Sequence, residues 1–188
     1  MTEDARRVFR LDNEVLAFRF TATVSDRAST APRERLDTPA RLRLWLQAAD
    51  FDIPHVSSTD LHHALELREA IYRIGSAITA GKHPNPTDVD TLNAIAAAGH
   101  AKAVLEQGKR AQWHLTKTSP VRDALSILAT NAIHTLGGPT RPRIKSCEGP
   151  GCAGLYVDTS RALNRRWCSM NTCGNKAKKS RMTHPTPL

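Results

Sequence analysis

Cys147-Glu148-Gly149-Pro150-Gly151-Cys152, fifteen further residues, then Cys168-Ser169-Met170-Asn171-Thr172-Cys173: these two segments hold all four cysteines of the 188-residue chain. The pattern is two C-x4-C pairs around a short loop. A tetrahedral all-thiolate zinc site needs this arrangement, each pair bending round one side of the ion. Zinc is borderline-soft and asks only for four close ligands, so thiolates suit it. Two disulfides and an iron–sulfur cluster are the competing uses of four cysteines. The opening residues MTEDARRVFRLDNEVLAF mix charges and contain no apolar segment of the secretory kind, which points to a reducing cytoplasm and against disulfides. The common cluster-binding runs are spaced differently. Zn2+ held by Cys147, Cys152, Cys168 and Cys173 is the favoured reading.

Charge is concentrated around these cysteines. Residues 139–188 carry ten Lys/Arg against Glu148 and Asp158, or +8 of the total +9. Zinc with four thiolates adds −2, leaving the metallated segment at about +6. The rest of the chain is close to neutral. Such asymmetry suits a polyanion partner, most often nucleic acid, although a merely solubilising tail would look similar. Between the first cysteine and the last, large apolar residues are few: Leu155, Tyr156, Val157, Leu163, Trp167 and Met170. On that count the segment lacks a core of its own, and metal binding is expected to supply its folding free energy.

Upstream, helical signals dominate. Thr38-Pro39 reads as an N-cap followed by proline at the first helical position, with Leu42, Trp45, Leu46 and Ala49 on the buried face. Ser58, Thr59 and Asp60 open a longer helix to about Ala80, with Ala64, Leu67, Ile71, Ile74 and Ile78 in one stripe and Gly81 beyond its end. Pro84, Asn85, Pro86 and Thr87 make a turn that caps a third helix, which buries Val89, Leu92, Ile95 and Ala96. Residues 101–116 read as a hairpin with Gly108 in its turn. Ser119-Pro120 repeats the Thr38-Pro39 signature and opens a fourth helix, closed by Gly137-Gly138-Pro139. Val15 to Thr23 reads as a strand, paired or leading into a helix. The resulting fold class is mainly α: a helical domain with a small β-hairpin over 1–138, a four-cysteine finger over 139–183, and a disordered tail over 184–188. No phosphate-binding glycine loop appears, since Gly108-Lys109 sits in a hairpin. Adjacent His62 and His63 point to different helix faces and do not form a metal pair. No apolar run approaches a membrane span. All four thiols serve better as ligands than as nucleophiles, so the chain is read as a non-enzyme.

The segment 147–181 resembles the CGNR-type zinc finger of bacteria. The residues that carry the resemblance are the pair Cys147 and Cys152, the strand Leu155 to Val157, Asp158 to Arg161, Arg165 to Met170, and Cys173 to Lys176. Lys176 stands where the family has arginine, replacing a planar fork by a point charge. Upstream, TVSDR (23–27), ERLDTPARLRLWLQAA (34–49) and ELREAIYRI (66–74) are similar to the helical domain that precedes this finger in stress-induced transcription regulators. There Arg19 and Ala22 replace an acid and an amide of the family pattern.

The resemblance implies a zinc-dependent, DNA-binding transcription regulator in the cytoplasm, associated with the nucleoid. Double-stranded DNA would meet Arg161, Arg165, Arg166, Lys176, Lys178, Lys179 and Arg181. Trp167, beside a ligand, reads as the structural core of the finger. The helical domain is then the place for homodimerisation or for sensing a small-molecule effector. An RNA- or protein-binding zinc module is the second reading, and an enzyme with its site in the helical domain the third.

Overall fold

The computed structural model describes residues 3–105, 107–108 and 111–183. The expected tail 184–188 and part of the expected hairpin turn lie outside them. The helices are α1 (Glu3–Val8), α2 (Leu16–Thr21), α3 (Pro39–Ala48), α4 (Ser58–Thr79), α5 (Pro86–Ala97), α6 (Pro120–Gly137) and α7 (Asn175–Thr183). Three two-stranded antiparallel ribbons join them: β1 (Val24–Ser25) with β2 (Arg33–Glu34), β3 (Lys102–Leu105) with β4 (Ala111–His114), and β5 (Ile144–Ser146) with β6 (Leu155–Val157). No helix among the described residues is long and apolar enough to cross a membrane.

The caps explain why the helices begin where they do. The Thr38 side chain accepts the Arg41 N–H at the start of α3. At α4 the cap is Ser57 rather than Ser58. Its hydroxyl accepts from Asp60 N–H while Asp60 accepts from Ser57 N–H, a reciprocal capping box. α4 is the centre of the fold, with α2, α5 and α6 packed on it. Leu67, Ile71 and Ile74 meet Leu125, Leu128 and Leu136 in one continuous core with Phe18, Phe20 and Trp45. The Phe20 and Trp45 rings lie 4.9 Å apart. Each fully buried large apolar side chain contributes about 1.5–3 kcal/mol.

Two local expectations are corrected. Residues 16–21 are helical, because Ala17, Phe18, Phe20 and Thr21 are all buried and only a helix packed against both α4 and α6 covers them all. Asn13 Oδ1 accepts the Val15 N–H at its entrance, and Asn131 Oδ1 on α6 accepts the Ala17 N–H. Ser119 makes no side-chain cap bond, and its backbone is bent away from the extended form seen at Thr38. The β3–β4 ribbon forms as expected, standing out from the core with Leu105 and Trp113 exposed.

The cysteine-bearing end is not coreless. In β6, the two-residue strand period sends Leu155 and Val157 into the helical core and Tyr156 to the opposite side, among the cysteines. Ile144 on β5 joins the same helical core. A few large residues suffice because α4 and α2 supply the other wall.

Candidate metal centre

Cys147 ends the β5 arm, Cys152 closes the following turn, Cys168 precedes a π-helical turn (Met170–Gly174), and Cys173 lies within that turn. Cys168 therefore sits just before the helical segment. The Ser169 side chain caps the turn by accepting Thr172 N–H. The turn after Cys147 depends on glycine. A Cβ at Gly149 would stand 2.8 Å from Cys173 Cβ, and Gly151 has φ +72°.

These elements bring the four sulfurs within 4.8 Å of one another, all buried. Cys168 Sγ is 3.7 Å from both Cys152 Sγ and Cys173 Sγ. Tetrahedral Zn–S bonds of about 2.3 Å place sulfurs roughly 3.8 Å apart, whereas a disulfide needs about 2.05 Å. The donor set and its spacing fit a four-thiolate ion and not a pair of disulfides. Backbone N–H groups serve the sulfurs: Gly149 and Cys168 both donate to Cys147 Sγ, at 3.4 and 3.3 Å. Hydrogen bonds from the neighbouring thiols and from the Gly154 amide hold Cys152 far below the ordinary thiol value. The same crowding pushes Cys168 far above it, because four anions cannot share so small a space without a cation.

A fifth group was invisible in the cysteine pattern. Arg10, in the connector between α1 and α2, reaches across the chain to the cluster. Its Nη2 stands 3.2 Å from Cys168 Sγ and 3.8 Å from Cys173 Sγ, and its Nη1 stands 3.8 Å from Cys152 Sγ. Burial disfavours the guanidinium charge, but the thiolates at Cys168 and Cys173 outweigh it and raise its pKa. A guanidinium there offsets the excess negative charge of four thiolates on a divalent ion. Outer-sphere partners of metal ligands typically contribute about 10–100-fold in metal affinity. Arg10→Ala is expected to weaken zinc binding by about tenfold in chelator competition, with Arg10→Lys partly restoring it. Unchanged affinity in Arg10→Ala would show the contact to be incidental.

The loop between the pairs is built on Asp158. This fully buried carboxylate accepts from Ser160 N–H and O–H, Arg165 N–H and Lys145 Nζ. Burial opposes its charge, but Lys145 and Ser160 hold its pKa well below the carboxylate range.

The basic residues singled out in the sequence fall into two groups. Arg165 turns inward, donating to the carbonyls of Trp167 and Cys168 and lying 4.9 Å over the Tyr156 ring. Lys176 pairs with Asp26 at 3.1 Å, and Arg166 with Glu148 at 2.6 Å. Arg161, Arg166, Lys178 and Lys179 are exposed. The side chain of Arg181 lies outside the described residues. Trp167 is partly buried against the cysteine cluster.

A four-sulfur knuckle with a basic outer face, docked on a helical domain, is the geometry of a metal-binding module. The comparisons agree. Residues 14–139 match the family ABATE, described as "Putative stress-induced transcription regulator", and residues 143–184 match the CGNR zinc finger. The chain belongs to the ABATE family and carries a CGNR zinc finger at its C-terminal end. No curated protein matches it.

Proposed function

We propose that this chain is a zinc-dependent, DNA-binding transcription regulator of the cytoplasm, working on the nucleoid. Cys147, Cys152, Cys168 and Cys173 hold Zn2+, whose role is structural: four protein thiolates leave no open position for substrate. The ion fixes the turn Met170–Gly174 and so aims α7. Arg161, Arg166, Lys178, Lys179 and Arg181 meet duplex phosphates, while Arg165 and Lys176 brace the finger that presents them. The observation that carries this reading is the joining of a buried four-sulfur centre to an exposed cationic face on the same small module. One finger reaches few base edges, so selectivity comes from a homodimer made through the helical domain.

The test is selection from random duplex DNA with the zinc-loaded chain, followed by a salt titration of the selected site. With about five phosphate contacts, affinity falls roughly 10²–10³-fold between 50 and 200 mM salt. An unenriched pool and a flat salt dependence would overturn the reading. Preference for single strands would favour RNA instead.

A further inference from the structure

The helical domain contains a cavity of about 660 Å³ between the start of α4, the end of α5 and the start of α6. That volume lies inside the span of about 300–1,000 Å³ typical of small-molecule sites. Its floor is apolar, made by Ile95 and Ala98 of α5 and Val121 and Leu125 of α6. The polar side of its lining is cationic. Lys117 and Arg122 bring fixed positive charge, and His55 and His63 bring ring donors. Neither Lys117 nor Arg122 forms an ion pair among the described residues.

The lining has one carboxylate, Asp60, and it is already occupied. Its Oδ2 accepts Ser57 N–H at 2.8 Å and Ser57 O–H at 2.7 Å. Ser119, also in the lining, makes no side-chain cap bond at the start of α6, whose first turn carries the buried Asp123 carboxylate, itself taken up by the His100 and Thr116 N–H groups. An apolar floor under two fixed cations and one carboxylate, a net positive lining, matches a small amphipathic anion. A cation would be repelled, and a neutral ligand would leave both charges without a partner.

The position of the cavity gives such a ligand a route to the finger. α4 contributes Thr59, Asp60 and His63 to the cavity. Further along the same helix, Tyr72 O–H donates to the Ala153 carbonyl at 3.2 Å. Gly75 is in close contact with Leu155, so that a Cβ there would lie 2.4 Å from Leu155 Cδ1. From His63 to Gly75 the helix rises about 18 Å at 1.5 Å per residue. One rigid helix therefore has the cavity at its start and the metal module against its second half.

We propose that this cavity binds a small organic anion, a carboxylate on an apolar body, as the effector of the regulator. The effector role rests on the regulatory reading above; the anion site does not. The probe is octanoate, titrated calorimetrically into the full zinc-loaded chain, with octylammonium and 1-octanol as controls of equal length. Octanoate is expected to saturate one site at least tenfold more tightly than either control. The double variant Lys117→Glu/Arg122→Glu is expected to reverse the order, favouring octylammonium, with its thermal unfolding unchanged. A variant that unfolds is replaced by Leu125→Trp, which fills the floor and is expected to abolish binding.

Equal binding of the three probes, octanoate binding indifferent to the charge reversal, or no binding at millimolar probe would each overturn the anion site. Duplex affinity is read in the same samples. A shift with octanoate in the native chain and none in the double variant supports the effector role, and unchanged affinity with octanoate bound removes it. Octanoate binding by a chain that binds no duplex at all would overturn the regulatory reading and leave the anion site standing.

Discussion

Cys168→Ser is expected to lose stoichiometric zinc and, with it, duplex binding. Cys168 is the most connected of the four sulfurs: 3.7 Å from Cys152 and Cys173, and the nearest sulfur to Arg10 at 3.2 Å. A serine hydroxyl is a harder and far less acidic donor, so zinc would be left with three thiolates and a poor fourth ligand. Structural zinc contributes about 10–16 kcal/mol in small finger peptides, and losing one of four direct ligands should weaken it by more than about 100-fold. The damage should stay local. The cysteine cluster with Tyr156 and Trp167 forms its own buried group, separate from the core of the helical domain. The helical domain should therefore unfold at nearly its native temperature, while α7 and the turn Met170–Gly174 exchange their amide hydrogens freely. Elemental analysis and hydrogen exchange check both halves. A variant that keeps one zinc per chain with near-native affinity would remove Cys168 from the ligand set.

The contrast between what the sequence disclosed and what it hid follows the range of each signal. The cysteine pairs were legible because each C-x4-C is one local turn, and Gly149 and Gly151 mark that turn in the sequence. α3, α4 and α5 were legible because their start signals, Thr38-Pro39, Ser58-Thr59-Asp60 and the Pro84–Thr87 turn, lie within one turn of the helix they open, although the α4 cap itself is Ser57, one residue earlier. α2 was not. Its six residues are too few to show a helical period, and Val15 to Thr23 is rich in the residues that favour strands. Burial against α4 and α6 decided its form, and that is tertiary information. Ser119-Pro120 copies Thr38-Pro39 in sequence but differs in backbone angles set by its surroundings. Arg10 could not be found locally at all, since the sulfurs it touches lie more than 140 residues away. Counting apolar residues between the first cysteine and the last missed the docking of Leu155 and Val157 because the count stopped at the segment boundary.

Arg68→Met is expected to be the most destabilising single change outside the metal centre. The side chain of Arg68 is 4 % exposed. Its Nη1 and Nη2 both reach Glu34 at 2.6 Å, its Nε reaches Glu69 at 2.8 Å, and Nη1 also meets Thr23 Oγ1 at 3.2 Å. Glu69 is shared with Arg27, which donates to it at 2.8 and 3.0 Å and lies 3.9 Å over the Tyr72 ring. Methionine fills much of the volume but leaves Glu34 without its guanidinium and Glu69 with only one of two. Removing one partner of a buried pair costs about 3–5 kcal/mol; with Glu34 partly exposed, a loss of about 2–4 kcal/mol is expected.

The pH dependence identifies the cause. Burial raises the pKa of both carboxyls, but hydrogen bonds from Arg68 to Glu34 and from Arg27 to Glu69 lower them further than burial raises them. A depressed carboxyl stabilises the fold above its unfolded pKa of about 4.3, and that contribution is lost as pH falls through the folded value. The gap between native and Arg68→Met chains in urea unfolding should thus be full at pH 7 and narrow below about pH 4. A gap that persists undiminished in acid would assign the loss to packing rather than charge.

The same change should reach the finger. The arm that Arg68 anchors through Thr23 and Glu34 also donates from Ala28 N–H to the Gly151 carbonyl at 3.0 Å, and its Asp26 pairs with Lys176. Releasing that arm frees the turn between Cys147 and Cys152, so zinc should leave Arg68→Met faster than it leaves the native chain even where both remain folded.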